Sequence, residues 1–504
     1  MRSTDLSGAV TASSREAADA GVQVLRAGGN AIDAAIAAAL ATCVADPSNA
    51  GLGGYGGFML VERRGQPARS IQFPLCAPSN ASPGTVSREY PQSGPGCSSV
   101  PNVVGGLARA MREFSTLPWS TLVQPAIALA RDGVVANAPT RRALELCRGL
   151  RFVTECFVLQ EEGFGDDRRL TFRQPALAAT LESLADRGPE WFYHGPLGRA
   201  AQRASQTAER DTLLDDWLRQ EESVDAIVAP TWECGGVRIF AAPVELSGSA
   251  CLFAIFTAAS RISARMGLAE GNAIAELASA MASIWQYRFA MSGNDFSRVH
   301  ISEWVNAALE CGRAAPAPPD TSHTAHLNAV DGDGTLVALT FTHGHSQFGG
   351  RWAIPGSGVI MNAGMHNFTG SAVVQRNGRL FGVSNMTPTI AVAADGASWA
   401  LGCPGARRIP SNIAMALAWH RFAGYGLQDA VRAGRLHAED HAHVTFETSR
   451  LGAACGEALR ARFPVVEEET GENYYGPLTA IRSTPTGFEL ALDDRLFNGF
   501  GARA

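Results

Sequence analysis

TSHTAHLNAVDGDGTLVALTFTHGHSQFGGRWAIPGSGVIMNAGMHNF, residues 321–368, is the stretch from which the rest of the chain is read. Two runs with strand character, LNAV (327–330) and TLVALTFT (335–342), flank Asp331-Gly332-Asp333-Gly334. Asp-Gly between apolar runs is a hairpin signal, because the tight turn needs residues that tolerate positive φ. Upstream, AAPAPPD (314–320) is a Pro-rich segment expected to be exposed, which would leave the bond before Thr324 accessible.

A Thr hydroxyl is a poor nucleophile without a base beside it. If the His323–Thr324 bond were cut, Thr324 would gain an α-amine with an ordinary pKa of about 7.7–8.0. That amine lies a few bonds from its own hydroxyl and can take its proton, which is one established route to nucleophile activation. Thr at the start of a strand is all that this chemistry requires.

TAHLNAVDGDG resembles the nucleophile motif of the γ-glutamyltranspeptidase family of N-terminal-nucleophile hydrolases, in which Thr-Thr-His precedes a hairpin. Thr324 takes the nucleophile position, Ala325 replaces the second Thr, and His326 is retained. SREAADAGVQVLRAGGNAIDAAIAAALA (14–41) is similar to the family's opening helices, GVSNMTPTI (382–390) to its Ser-Ser-Met-Ser-Pro-Thr-Ile, and GCPGARRI (402–409) to its Gly-Ser-Pro-Gly-Gly-Ser-Arg turn. The resemblance runs over nearly the whole chain. It implies an α/β fold, a four-layer αββα sandwich, in which residues 1–323 and 324–504 become a large and a small subunit of one intertwined domain after self-cleavage. Such a heterodimer from one chain leaves further dimerisation open.

The resemblance also implies roles. Thr324 would be the nucleophile and Thr342 its hydrogen-bonding partner and an aid to cleavage. Gly405 and Ala406 would supply the two N–H groups of an oxyanion hole; Ala at the second position is expected to need a backbone without positive φ. Three positions that clamp a glutamyl group in the family are changed: Pro83 stands where an Arg is expected, Gly344 replaces an Asn, and His366 falls where MDDF becomes Met365-His366-Asn367-Phe368. Ser384 and Asn385 keep hydrogen-bonding capacity for substrate, and Arg351 offers a replacement carboxylate clamp. The expected activity is therefore amide hydrolysis or acyl transfer to water or an amine, on a γ-glutamyl compound or another small-molecule amide. The alternative is an uncleaved, inactive relative that binds a ligand or partner.

Other signals point to structure. Gly51, Gly53 and Gly56 satisfy G-x-G-x-x-G, but they follow a helix and open a strand, the reverse of a dinucleotide site. Close backbone packing is expected there instead. Cys403 occupies a Ser position of its motif and is a rival nucleophile only in principle. His343 and His345 share a strand face but lack a third ligand, so no metal is expected, and no cofactor. A capping box is expected at Ser13-Ser14-Arg15-Glu16 for a first helix and a cap at Asn30 for a second, which Pro47 stops.

With 46% apolar and 18% charged residues the composition is that of a globular protein, and a net charge of −6 without a basic block argues against nucleic acid or an anionic membrane surface. The ten Cys are scattered without C-x-x-C, as fits reduced thiols. The opening MRSTDLSGAVTASS has no apolar core of a secretory leader, and a cytoplasmic location is the expectation.

Overall fold

The Asp331–Gly334 turn closes a long hairpin between strands His323–Asp331 and Leu336–Gly344. One oxygen of Asp331 accepts from the N–H of Asp333 (3.1 Å) and Thr335 (2.9 Å), while the other accepts from the Ala31 N–H (3.0 Å) at the start of helix Ala31–Ala45. The turn residue thus pins the hairpin to the helix beneath it. This is a computed structural model, and it describes residues 8–79, 81–82, 90–163, 168–206, 214–291, 301–310, 323–344, 346–368, 373–468, 474–495 and 499–504.

The hairpin forms the middle of a seven-stranded antiparallel sheet. Its order is Phe500–Arg503, Gly8–Ala12, His323–Asp331, Leu336–Gly344, Gly56–Glu62, Arg69–Phe73 and Asp225–Val228. A six-stranded antiparallel sheet runs Gly487–Leu492, Thr479–Thr484, Ser398–Gly402, Thr389–Ala393, Val237–Ala241 and Thr231–Cys234. The segment Ala229–Pro230 carries the chain from the edge of one sheet into the other. Segments before residue 323 supply four strands to the first sheet and two to the second; those after it supply three and four.

Alternation along each strand decides which side chains go where, since successive residues face opposite sides. On the hairpin, Leu327, Ala329, Val337, Leu339 and Phe341 belong to a core shared with helices Arg15–Arg26, Ala31–Ala45, Val103–Phe114, Trp119–Asp132 and Pro175–Arg187. The opposite face sends Val330, Leu336 and Ala338 into a buried cluster with Phe240, Ile390, Ala400 and Ile481 of the second sheet. Trp399, Leu401 and Ile239 on the second sheet's far side pack with helices Ser249–Ser263, Gly271–Ala290 and Arg408–Phe422. Each large apolar side chain buried in these contacts contributes about 1.5–3 kcal/mol.

Helix Ala31–Ala45 is buried along its whole length, which its Ala-rich sequence permits because small side chains allow close approach to the sheet. Its N-cap is Asn30, whose side chain accepts from the N–H of Ile32 and Asp33 (2.9 Å each) while Asp33 accepts from the Asn30 N–H. The reciprocal capping box therefore belongs to this helix. The first helix is capped more simply by Ser14, which accepts from Ala17 N–H at 3.1 Å. Among the described residues no helix is long and apolar enough to cross a membrane.

Candidate active site

Pairing in the hairpin is regular from Val330↔Leu336 to Ala325↔Phe341, then shifts, so that His323 pairs with Gly344. Thr324 consequently faces two residues, Thr342 and His343, across a β-bulge. A bulge turns side chains out of the pleat's strict alternation. Here the Thr342 hydroxyl donates to the carbonyl oxygen of His323 and accepts from the Gly344 N–H at 2.8 Å. The carbonyl so bonded is that of the His323–Thr324 peptide.

Thr324 is buried, at 2% exposure, and borders a cavity of about 160 Å³. His323 and His326 line it from the same strand, and Gly405 and Arg408 line it from the turn that follows strand Ser398–Gly402 of the other sheet. Asp46, Ser48 and Asn49, just past the end of helix Ala31–Ala45, complete a third wall. Residues more than 250 positions apart meet here because the two sheets face each other.

The turn at 403–407 leads into helix Arg408–Phe422. The carbonyls of Gly405 and Ala406 accept from the N–H of Arg408 (3.0 Å) and Ile409 (3.2 Å), whereas among the described residues no protein group takes the N–H of Gly405 or Ala406. Two uncommitted donors at a helix N-terminus are suited to a developing oxyanion. The expected backbone for Ala406 is overturned: its φ is +56°, in the left-handed region, beside Gly405 at φ +129°. Held by the helix on one side and the strand on the other, the turn imposes this conformation on a residue with a Cβ, at a cost of about 1–2 kcal/mol. Cys403 is buried, with its thiol pushed up to about 12 by desolvation, and the Asn412 amide lies 3.8 Å from its sulfur. It is a packing residue, not a thiolate.

His326 faces inward opposite Thr340. Its Nε2–H donates to Asn328 Oδ1 (3.0 Å) and its Nδ1 accepts from the Thr340 hydroxyl (2.8 Å), since the Asn328 amide nitrogen is already spent on Thr11 and Thr479. Burial drives its pKa down to about 4, so the ring is neutral. The ring spans the gap between sheets to Gly402, where any Cβ would stand 2.3 Å from it.

The other expected site residues divide. Gly344 lies beside His323, but a Cβ there would stand 3.0 Å from the ring of Tyr55, whose hydroxyl accepts from Asn367 Nδ2 at 3.1 Å and lies beside Ser384. Burial raises the Tyr55 phenol to about 12. Ser384 also accepts from the Met386 N–H at 3.0 Å, and the Asn385 carbonyl accepts from the Thr387 hydroxyl at 2.9 Å. His366 reaches the Pro91 carbonyl (3.0 Å) and the Tyr90 ring, and Arg351 is exposed with its Nε 3.5 Å from the carbonyl of Gln347, a cavity residue. None of Ser384, Asn385, His366 and Arg351 lines the Thr324 cavity. Pro83 and His345 lie outside the described residues. His343 is buried, its ring against Gly51, where a Cβ would come within 2.3 Å; close packing accounts for that glycine.

Two residues escaped the sequence reading. Tyr55 was hidden inside the Gly-rich run 51–58, where a lone aromatic among glycines was the available signal. Asp46 stands between the second helix and Pro47, where nothing local sets it apart. It is buried at the cavity, accepts from Asn49 Nδ2 (2.9 and 3.2 Å) and Ser48 Oγ (3.3 Å), and desolvation raises its carboxyl to about 6.

Comparison with known proteins places the whole chain. The chain is 29% identical to a glutathione hydrolase proenzyme of Pseudomonas aeruginosa, over 97% of this chain and 93% of that one. It is 28% identical to the acylase ACY 1 proenzyme of Pseudomonas sp. (strain V22), over 84% and 81%. Its fold superimposes on the crystal structure of a cephalosporin acylase from Bacillus halodurans with a TM-score of 0.80 at 22% identity, covering 99% of this chain and 96% of that one. The sequence profile described as Gamma-glutamyltranspeptidase matches residues 17–499. The motifs around Thr324 and Gly405 and this match over nearly the full length lead to one conclusion: the chain is an enzyme of the γ-glutamyltranspeptidase family.

Proposed function

We propose that this protein is a self-processing amide hydrolase or acyl transferase whose nucleophile is Thr324. In the first stage Thr324 Oγ attacks the His323 carbonyl carbon, and the Thr342 hydroxyl stabilises the negative charge growing on its oxygen. The C–N bond breaks, the nitrogen takes a proton to become the Thr324 amine, and an ester links His323 to Thr324 Oγ. Water hydrolyses that ester, leaving a carboxylate on His323 and a free Thr324. In the second stage the new amine takes the hydroxyl proton as Oγ attacks a substrate amide. Gly405 and Ala406 N–H hold the oxyanion, the amine leaves with a proton, and water or a second amine resolves the acyl-enzyme.

The single observation carrying this reading is the bond from Thr342 to the carbonyl of the very peptide that must break, with Thr324 and Gly405 on one cavity. Two facing sheets with helices packed outside each support reading the fold as the four-layer αββα arrangement. Both sheets draw strands from before and after residue 323, so the two products would stay entwined. For the substrate, the position of Tyr55 supports one reading. Gly344 and Ser384, which the family resemblance marks for a glutamyl head group, lie against a protein side chain instead, with Asn367 bonded to the same phenol. This favours a small acyl amide over a γ-glutamyl compound bound in the family's manner.

Purified protein should yield two polypeptides, the smaller beginning Thr-Ala-His-Leu, and should release amine from a panel of small acyl amides and glutathione. Thr324→Ala should leave one chain and lower turnover by about 10⁴-fold or more. Full turnover by an unbroken chain would sink the proposal.

A further inference from the structure

The Thr324 cavity contains a charge that neither stage of this chemistry uses. Asp46 follows the last turn of helix Ala31–Ala45 as its C-cap, and Pro47 fixes the chain's exit. Its carboxylate is 1% exposed and forms part of the cavity wall. The hydrogen-bond partners it has are neutral, the Asn49 amide and the Ser48 hydroxyl. Among the described residues no arginine or histidine pairs with it. A buried carboxylate ordinarily has a cationic partner, because dehydrating it costs more than neutral donors return. Arg408, the cation across the cavity, is directed elsewhere: its Nε donates to the Tyr474 carbonyl at 2.7 Å and its guanidinium lies 4.5 Å over the Tyr474 ring.

We infer that Asp46 is a specificity-determining residue that receives a small cation, a primary ammonium, carried on the acyl part of the substrate. The cavity's 160 Å³ accommodates a short chain of heavy atoms reaching from Thr324. Arg408 on the far wall disfavours the opposite orientation, so the pocket is polar along one direction. The inference rests on Thr324 as the acylated residue and adds what the acyl group must carry.

The test compares p-nitroanilides whose acyl chains end in an ammonium, a methyl or a carboxylate: 4-aminobutyryl, butyryl and glutaryl. The wild-type enzyme should favour the 4-aminobutyryl compound over the butyryl one in kcat/KM by about tenfold or more, as a charge-assisted hydrogen bond provides, with the glutaryl compound poorest. Asp46→Asn, which keeps the shape and one acceptor for Asn49, should erase that preference through KM. A purely structural role would lower both rates alike, and that result overturns the inference, as does a wild-type enzyme indifferent to the ammonium. A second arm needs no chemistry: calorimetry of 4-aminobutyramide and butyramide binding to uncleaved Thr324→Ala. Preferential binding of the ammonium compound upholds the inference even if Thr324 is not the nucleophile. Equal binding overturns it even if Thr324 is.

Discussion

Gly344, Ser384 and Asn367 close around the phenol of Tyr55, whereas Asp46, Asn49 and Gly405 stand around open volume. Both groups lie beside the same hairpin end, since Gly344 pairs with His323 and Gly405 shares a cavity with Thr324. Both consist of residues able to bind a polar ligand. The difference is what occupies the space between them, a protein ring on one side and, on the other, a cavity whose carboxylate has no cationic partner among the described residues. Donors and acceptors alone do not make a binding site; they must also lack a partner within the chain.

The largest effect expected in sharpening this contrast comes from the bond between the two regions. Thr342→Val keeps the β-branched shape but removes the donor to the His323 carbonyl, and self-cleavage should slow by about 10²-fold. A time course of precursor loss by intact mass checks this; an unchanged rate would assign polarisation of that carbonyl to another group. Comparable in free energy, but read on stability rather than on a rate, is Tyr55→Ala. It should cost about 3–5 kcal/mol in denaturant unfolding and shift selectivity toward bulkier acyl groups, by opening the volume that Gly344 and Ser384 border. If selectivity stays as it was, the two sides are not alternatives and the comparison breaks. The smallest effect belongs to the turn on the open side. Ala406→Gly removes the strain at φ +56° and should stabilise by about 1 kcal/mol or less, since Gly also gives the unfolded chain more freedom. Thermal unfolding reads the sign, and a loss of stability would show that contacts of the Ala406 methyl outweigh the strain.

Much of the frame was legible in the residues. Asp331-Gly332 marks the hairpin, alternation in TLVALTFT marks its two faces, and Asn30 with Pro47 bounds a helix. These features depend on local φ/ψ preference and on period, which a short window contains. Thr324, Thr342 and Gly405 were legible through motif resemblance, and two of them line one cavity while the third bonds to the peptide between His323 and Thr324. Ala406 misled the reading, because a left-handed turn is imposed by the strand and helix it joins and leaves no mark when the residue is not Gly. The bulge at Thr324 was equally silent, being a property of two strands in register and not of either one.

By itself the sequence determined the hairpin, the capped helices and the apolar alternation that sorts side chains between two faces. Those are short-range consequences of backbone sterics and hydrophobic period. Only the tertiary structure decided that Tyr55 fills the space beside Gly344 and that Asp46 reaches the Thr324 cavity with no cationic partner among the described residues. Burial and pairing depend on what distant segments bring to the same few ångströms, and no local preference encodes that.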